Sequence, residues 1–169
     1  ASYSSEEYYI FVAIGYHDLG KKRKEIFETF LNKGYRFPDF LTDENKTLNV
    51  EIGRNTFIMP GATVQPKVKI GDNVLVWGNA LVGHHVKIGS HTWITGGVSI
   101  GGSTTIGECC FLGINSTIGP NINIGDFAII GANTLTTKSL ESNKVVVNSD
   151  SPIHRLSSSN FAKLSKSLL

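Results

Sequence analysis

The side chains of this chain that can move a proton near neutral pH are five histidines: His17, His84, His85, His91 and His154. An imidazole has an ordinary pKa of ~6.5 and acts as a general base when it is held against a substrate. Two of the five stand side by side behind a glycine, in Leu81-Val82-Gly83-His84-His85-Val86-Lys87-Ile88-Gly89. Zinc would need three or four converging ligands. His85 and His91 are too poorly spaced for that, and no further histidine joins them, so no metal is expected. Cys109 and Cys110 are adjacent, which suits neither a structural disulfide nor a zinc motif with spaced partners. They point to a reduced, cytoplasmic setting.

Rigid elements must hold such a pair in place, and here they are legible as a period of six. Counting from Ile52, the first hexad position is Ile52, Ile58, Val64, Ile70, Val76, Val82, Ile88, Ile94, Ile100, Ile106, Leu112, Ile118, Ile124 and Ile130. All are aliphatic. The second position is often glycine, as at Gly53, Gly71, Gly83, Gly89, Gly101, Gly107 and Gly113. The fifth is small or β-branched, from Thr56 and Ala62 through Ala128 to Thr134. A short fixed period of this kind signals a solenoid, and β-branched residues suit its inward strand positions. Glycine beside the inward residue is expected to supply unusual φ/ψ at a corner. A sandwich of ordinary strands would not keep six-residue spacing from 52 to 135.

The fold expected is mainly β: a parallel β-helix over 47–136, a short β-α-β fragment over 1–46, and a strand-and-helix cap over 137–169. Residues 8–15 read as a buried strand. Asp18 reads as the cap of a helix reaching Asn32, with Gly34 as its stop. Ile26, Phe27, Phe30 and Leu31 share one apolar face of that helix. Residues 35–41 read as a second short strand, broken by Pro38. Residues 144–148 read as a last strand, Ser151-Pro152 as a turn, and residues 160–169 as a terminal helix whose Leu164 and Leu168 pack on the solenoid. The flanks cover the open solenoid ends.

Sixteen basic residues nearly balance 14 acidic ones, giving a formal net charge of +2. That argues for neither nucleic acid nor an anionic membrane surface. No apolar run is long enough for a membrane span, and no secretory signal pattern opens the chain. The polar start, from Ala1, reads as a disordered lead.

The hexads resemble those of the hexapeptide-repeat acyltransferases. That resemblance implies three hexads per triangular coil, a left-handed sense and a homotrimer with its sites between subunits. The histidine string, together with Phe111-Leu112-Gly113-Ile114-Asn115-Ser116 and Val145-Val146-Val147, resembles the sugar O/N-acetyltransferases of the sialic acid and bacillosamine type. Those join a small Rossmann-like sugar-nucleotide domain to a β-helix, and the likeness runs from about Tyr8 to Phe161. It implies transfer of acetyl from acetyl-CoA to an amino group, or alternatively a hydroxyl, of a nucleotide-linked amino sugar in surface glycan synthesis.

The resemblance implies that His84, in the first place of the pair, is the general base. The third and fourth hexad places put His84 and His85 outward at a corner. An alternative makes His85 the base, with His84 only packing. The resemblance maps cofactor contacts onto Trp93, Gly102, Ile114 and Ala132, with Gly101 and Gly102 letting a backbone N–H approach the cofactor. Trp93 stands where some members have a histidine, and it also reads as a surface rung stacked on Phe111. Leu75, Trp93, Phe111 and Ile129 would form one outer column.

Two departures from the family stand out. Its members often carry an acid after the base, where this chain has His85, and the repeat's own acids, Asp72, Glu108 and Asp126, stack on another corner. The glycine-rich first βα turn is absent. Gly15 and His17 fall where the rest of the sugar-nucleotide site would be, so the chain reads as a variant or as lacking residues before Ala1. Two other classes remain as alternatives. A zinc enzyme of the β-helix carbonic anhydrase kind needs a third histidine. A non-catalytic binding or scaffold solenoid, such as an ice-binding one, would carry flat threonine arrays, whereas Thr104-Thr105 and Thr136-Thr137 are isolated.

Overall fold

The computed structural model describes residues 3–38 and 49–166, with side chains to residue 163. Two-residue strands pair in parallel across a separation of 18 residues, 16 in the last pair of the second face, and build three faces. The first face stacks Glu51–Ile52, Lys69–Ile70, Lys87–Ile88, Thr105–Ile106 and Asn123–Ile124. The second stacks Phe57–Ile58, Leu75–Val76, Trp93–Ile94, Phe111–Leu112, Ile129–Ile130 and Val145–Val146. The third stacks Thr63–Val64, Leu81–Val82, Ser99–Ile100, Thr117–Ile118 and Leu135–Thr136. The result is the expected parallel β-solenoid, with three hexads to a coil.

Both inward positions are as the period requires: Ile94, Leu112, Ile130, Val86, Val98 and Ala128 are fully buried. Three inward threonines satisfy their hydroxyls on the coil above. Thr56 donates to the Gly71 carbonyl at 2.8 Å, Thr92 to Gly107 at 2.9 Å and Thr104 to Gly119 at 2.7 Å.

The corner glycines serve a different purpose from the one expected. Those at the second hexad position keep ordinary φ; it is the fourth position that turns left-handed, at Asn55, Lys67, Asn73, Asn79, His85, His91, Ser103, Asn115, Asn121 and Asn133. Asparagine tolerates that region well, which explains its recurrence there. The second-position glycines are required by close stacking. A β-carbon on Gly53 would meet the Gly71 carbonyl carbon at 2.5 Å, and one on Gly83 would meet the Gly102 nitrogen at 2.7 Å.

The N-terminal flank is less regular than a β-α-β unit. Its two expected strands reduce to a single parallel bridge, Tyr9 to Arg36, with the Ile10 N–H donating to the Arg36 carbonyl at 3.0 Å. Residues 39–41, like Leu168, lie outside the described residues. Helix α1 spans Lys21–Asn32, and Gly34 closes it at φ +78° as expected. Asp18 does not cap it. Asp18 and Leu19 form a short 3-10 turn at positive φ, which carries the chain round to Gly20 as N-cap, leaving Asp18 to pair with Lys21 at 3.5 Å. Residues 151–154 form no regular turn, and a second helix, α2, spans Ser158–Lys166.

The flank docks on the second face. Phe27, Val12 and Phe37 form a small core with Ile26, Phe30 and Leu31 beside it. Tyr16 packs on Phe111 with ring centroids 4.5 Å apart and also touches Trp93, so the outer column of that face is partly covered. Leu75 in that column is buried. A polar ladder runs beneath: Asn55 donates to Asn73 at 2.7 Å, and Asn73 meets Nδ1 of His91 at 2.9 Å. Arg23, fully buried, donates to the carbonyls of Asn73 and His91 and stacks over Trp93. Burial lowers its guanidinium to about 10.

His91 is therefore a structural histidine. Burial first, then the charges of Lys24 and Arg23, push its imidazole down to about 4 from 6.5. Between those values the unfolded chain binds a proton that the folded chain refuses. Stability should then fall as pH drops from about 6.5 to about 4 and level off below. His91→Gln keeps an acceptor for Asn73 and does not titrate, so thermal unfolding across that range should show a shallower acid slope than in the parent. Equal slopes would refute this role.

Candidate functional site

The corner between the third and first faces carries the paired histidines. It is built from Pro66-Lys67, His84-His85, Gly102-Ser103 and Pro120-Asn121, each pair one coil above the last. The backbone of His84 is held on both sides. Its N–H donates to the Gln65 side chain at 2.9 Å, and its carbonyl accepts from the Ser103 N–H at 2.8 Å. The His85 N–H donates to the Pro66 carbonyl at 3.1 Å. Gln65 is not singled out by the sequence; its one signal is its place a coil below Gly83, next to His84.

The left-handed backbone at His85, φ 61°, turns its ring to meet that of His84 edge to face. The two Nδ1 atoms are 3.0 Å apart. At that distance one must carry a proton and the other must accept it. If His84 Nδ1 donates, His84 Nε2 is bare and basic, and the His85 proton sits on Nε2. Either nitrogen can be the donor, so the contact couples the tautomers of the two rings.

Both rings are exposed. Among the described residues, Nε2 of His84 has no hydrogen-bond partner. It lies close over Gly102 of the next coil, where an added β-carbon would stand 2.7 Å from it. The Gly102 N–H makes no backbone hydrogen bond among the described residues. A base and a free backbone donor therefore share one small surface, an arrangement that suits proton removal beside a developing oxyanion.

The acids of the repeat are engaged elsewhere. Asp72 pairs with Arg54 at 2.6 Å and Glu108 with Lys24 at 3.7 Å, both at the corner between the first and second faces, where Asp126 also stands. Among the described residues, no group of three His, Cys, Asp or Glu could hold a metal ion. Cys109 and Cys110 are buried and free, and burial raises both thiols, Cys110 to about 11, so neither is a ready nucleophile.

Of the residues read from the sequence, one chain brings together His84, His85 and Gly102. Ile114 and Ala132 stand exposed at the remaining corner, between the second and third faces. Trp93 lies half-buried on the second face against Tyr16, Arg23 and Trp77. Gly15 and His17 lie in the flank on either side of Tyr16, beside that same face. No described helix is long and apolar enough to cross a membrane.

The family model of the bacterial transferase hexapeptide, six repeats, matches residues 49–84 and 103–138. No curated protein matches the chain. Among solved structures, PerB from Caulobacter crescentus, in complex with CoA and GDP-perosamine, superposes with a TM-score of 0.71 at 22% identity over 80% of this chain and 64% of that one. The acetyltransferase domain of PglB from Neisseria gonorrhoeae, in complex with acetyl coenzyme A, gives 0.76 at 24% identity over 86% and 70%. WeeI from Acinetobacter baumannii gives 0.52 at 20% over 76% and 64%. The chain shares their fold and spans about two thirds of the length of PerB and WeeI.

The Nδ1 contact predicts a distinct spectrum. With histidine side chains labelled with nitrogen-15, the pair should show one protonated and one bare Nδ1 at neutral pH. Gly102→Ala, whose methyl must push the His84 ring away, should abolish that pattern without unfolding the chain. An unchanged spectrum in Gly102→Ala would contradict the geometry.

Proposed function

We propose that this chain, whose solenoid carries the bacterial transferase hexapeptide repeat, is an acetyl-CoA-dependent N-acetyltransferase acting on a nucleotide-linked amino sugar, with His84 as general base. The observation that carries the reading is the His84–His85 pair: an exposed imidazole, its Nδ1 against that of its neighbour, its Nε2 over Gly102. The similar folds of PerB, solved with CoA and GDP-perosamine, and of the PglB domain, solved with acetyl coenzyme A, support the choice of substrates.

The reaction balances on one proton. The acceptor amine attacks the thioester carbonyl, and a C–N bond forms. His84 Nε2 takes the amine proton as positive charge builds on nitrogen. The resulting imidazolium keeps its Nδ1–H on the lone pair of His85, which spreads the charge without a carboxylate. The C–S bond then breaks, and the thiolate of CoA leaves with a proton returned by His84. The Gly102 N–H is the donor best placed for the thioester oxygen.

The cofactor would be shared between copies of the chain. Ile114 and Ala132 stand on a different corner from His84 and so cannot reach it within one solenoid, whereas a homotrimer would set one copy's third corner against another's histidines. Trp93, Gly15 and His17 keep the roles of cofactor and sugar-nucleotide contacts only as contributions from a neighbouring copy. A cytoplasmic location belongs to the same reading, since acetyl-CoA is made there and both cysteines are free thiols.

With acetyl-CoA and a panel of nucleotide-linked amino sugars, the protein should release free thiol at a rate that depends on the acceptor. His84→Ala should lower turnover by roughly 10²–10⁴-fold while the fold persists. Full activity in that variant would refute the assignment. Light scattering should give three times the 18.4 kDa of the chain. His84→Ala and Ile114→Asp, each inactive alone, should regain activity when refolded together. Failure to complement, with both variants assembled, would place the site within one chain.

A further inference from the structure

Three lysines lie beside the histidine pair and no step above uses them. Lys69 and Lys87 are in register on adjacent strands of the first face, and Lys67 stands at the fourth hexad position one coil below His85. With Glu51, Asn49 and His85 they line a groove of about 660 Å³. Like charges directly opposite each other across a parallel pair are unfavourable. Only Lys69 is relieved, by Glu51 at 2.7 Å. Among the described residues, Lys67 and Lys87 have no acidic partner. Three lysines and one glutamate leave the groove a formal surplus of +2, as large as that of the whole chain.

We infer that this groove seats a diphosphate, that of the nucleotide-linked acceptor. Ammonium groups on a rigid sheet bind phosphate as fixed point charges, and the unfavourable Lys69–Lys87 approach is relieved when an anion sits between them. The direction of the groove favours the acceptor over CoA. From His84, Gly102 lies one coil toward the C-terminal end, whereas Lys67 and Lys69 lie one coil toward the N-terminal end. A thioester approaching over Gly102 leaves the opposite side of the histidine pair for the attacking amine. A sugar whose diphosphate rests on Lys67, Lys69 and Lys87 would arrive from that side. The inference rests on His84 being the base of the proposed reaction, and CoA is the other possible source of a diphosphate.

The test uses Lys67→Ala, Lys87→Ala, the double variant and the charge reversal Lys87→Glu. Lys69 is left in place because it is paired with Glu51. Calorimetry with uridine and guanosine 5′-diphosphates, inorganic pyrophosphate and CoA reads binding without activity. The double variant should weaken binding of the better nucleoside diphosphate at least about tenfold and raise the acceptor KM in parallel. CoA affinity and the acetyl-CoA KM should stay within about twofold. A loss confined to CoA would assign the groove to the cofactor and overturn the inference, as would unchanged affinity for every probe. A lower melting temperature with unchanged affinities would make the lysines structural and overturn it too. His84→Ala separates the two readings: retained, lysine-dependent diphosphate binding in that variant supports the groove whether or not His84 proves to be the base.

Discussion

Each coil of the solenoid lies on the one below at backbone contact, and at most of the glycines of the second hexad position the contact is too close for a side chain. A β-carbon on Gly89 would meet the Gly107 carbonyl carbon at 2.5 Å, and one on Gly113 the Ala132 nitrogen at 2.6 Å. Such an approach leaves no room for slippage. It locks residues 18 apart into columns and lets a two-residue strand hold its register. Inward side chains add the hydrophobic term, and inward threonines close their own hydrogen bonds on the same glycine carbonyls. Everything at the surface inherits the columns, including the stack of Lys67, His85 and Ser103.

The fourth hexad position is where that rigidity becomes chemistry. A left-handed residue at every corner turns the chain. Where the residue is asparagine, as at Asn55 and Asn73, the side chain reaches the next coil and builds the ladder on which Arg23 docks. Where it is His91, the same geometry buries an imidazole and suppresses its charge. Where it is His85, the corner is exposed among the described residues, and the ring meets its neighbour there. One backbone device thus yields a buried histidine and an exposed one within six residues.

Much of this is legible in the sequence because the period is short and unbroken. Fourteen aliphatic residues in strict sixes define the inward face, and the same count sends His84 and His85 outward and the acids to another corner. The turn device is also written there, in the asparagines at Asn55, Asn73, Asn79, Asn115, Asn121 and Asn133. The neighbouring glycines drew attention from it, because glycine marks both positive φ and close approach, and only coordinates tell these apart. The N-terminal flank is less legible. Its apolar pattern is plain, yet Arg23 reads as a solvated helix residue and is fully buried, because its partners are carbonyls that no sequence pattern displays. Asp18 reads as a cap on local grounds, and the docking of Tyr16 on Phe111 imposes a different turn. The lysine groove has its signal too, since Lys69 and Lys87 are 18 apart, but two lysines at that spacing read as a solvated face until the pairing register sets them opposite each other.

The identity of residue 85 joins the two halves of the site. A carboxylate there would polarise His84 more strongly than an imidazole can, since it would bring a full negative charge to Nδ1. It would also line the groove that Lys67 and Lys87 share, and would draw their ammonium groups into ion pairs at close range. The groove's surplus charge would then be spent within the protein. On the proposed reading His85 accepts the Nδ1 proton of His84 and leaves both lysines to an incoming anion. On this view the weaker partner behind the base is the condition for a positive groove next to it, and the trade is favourable only when the acceptor itself carries negative charge.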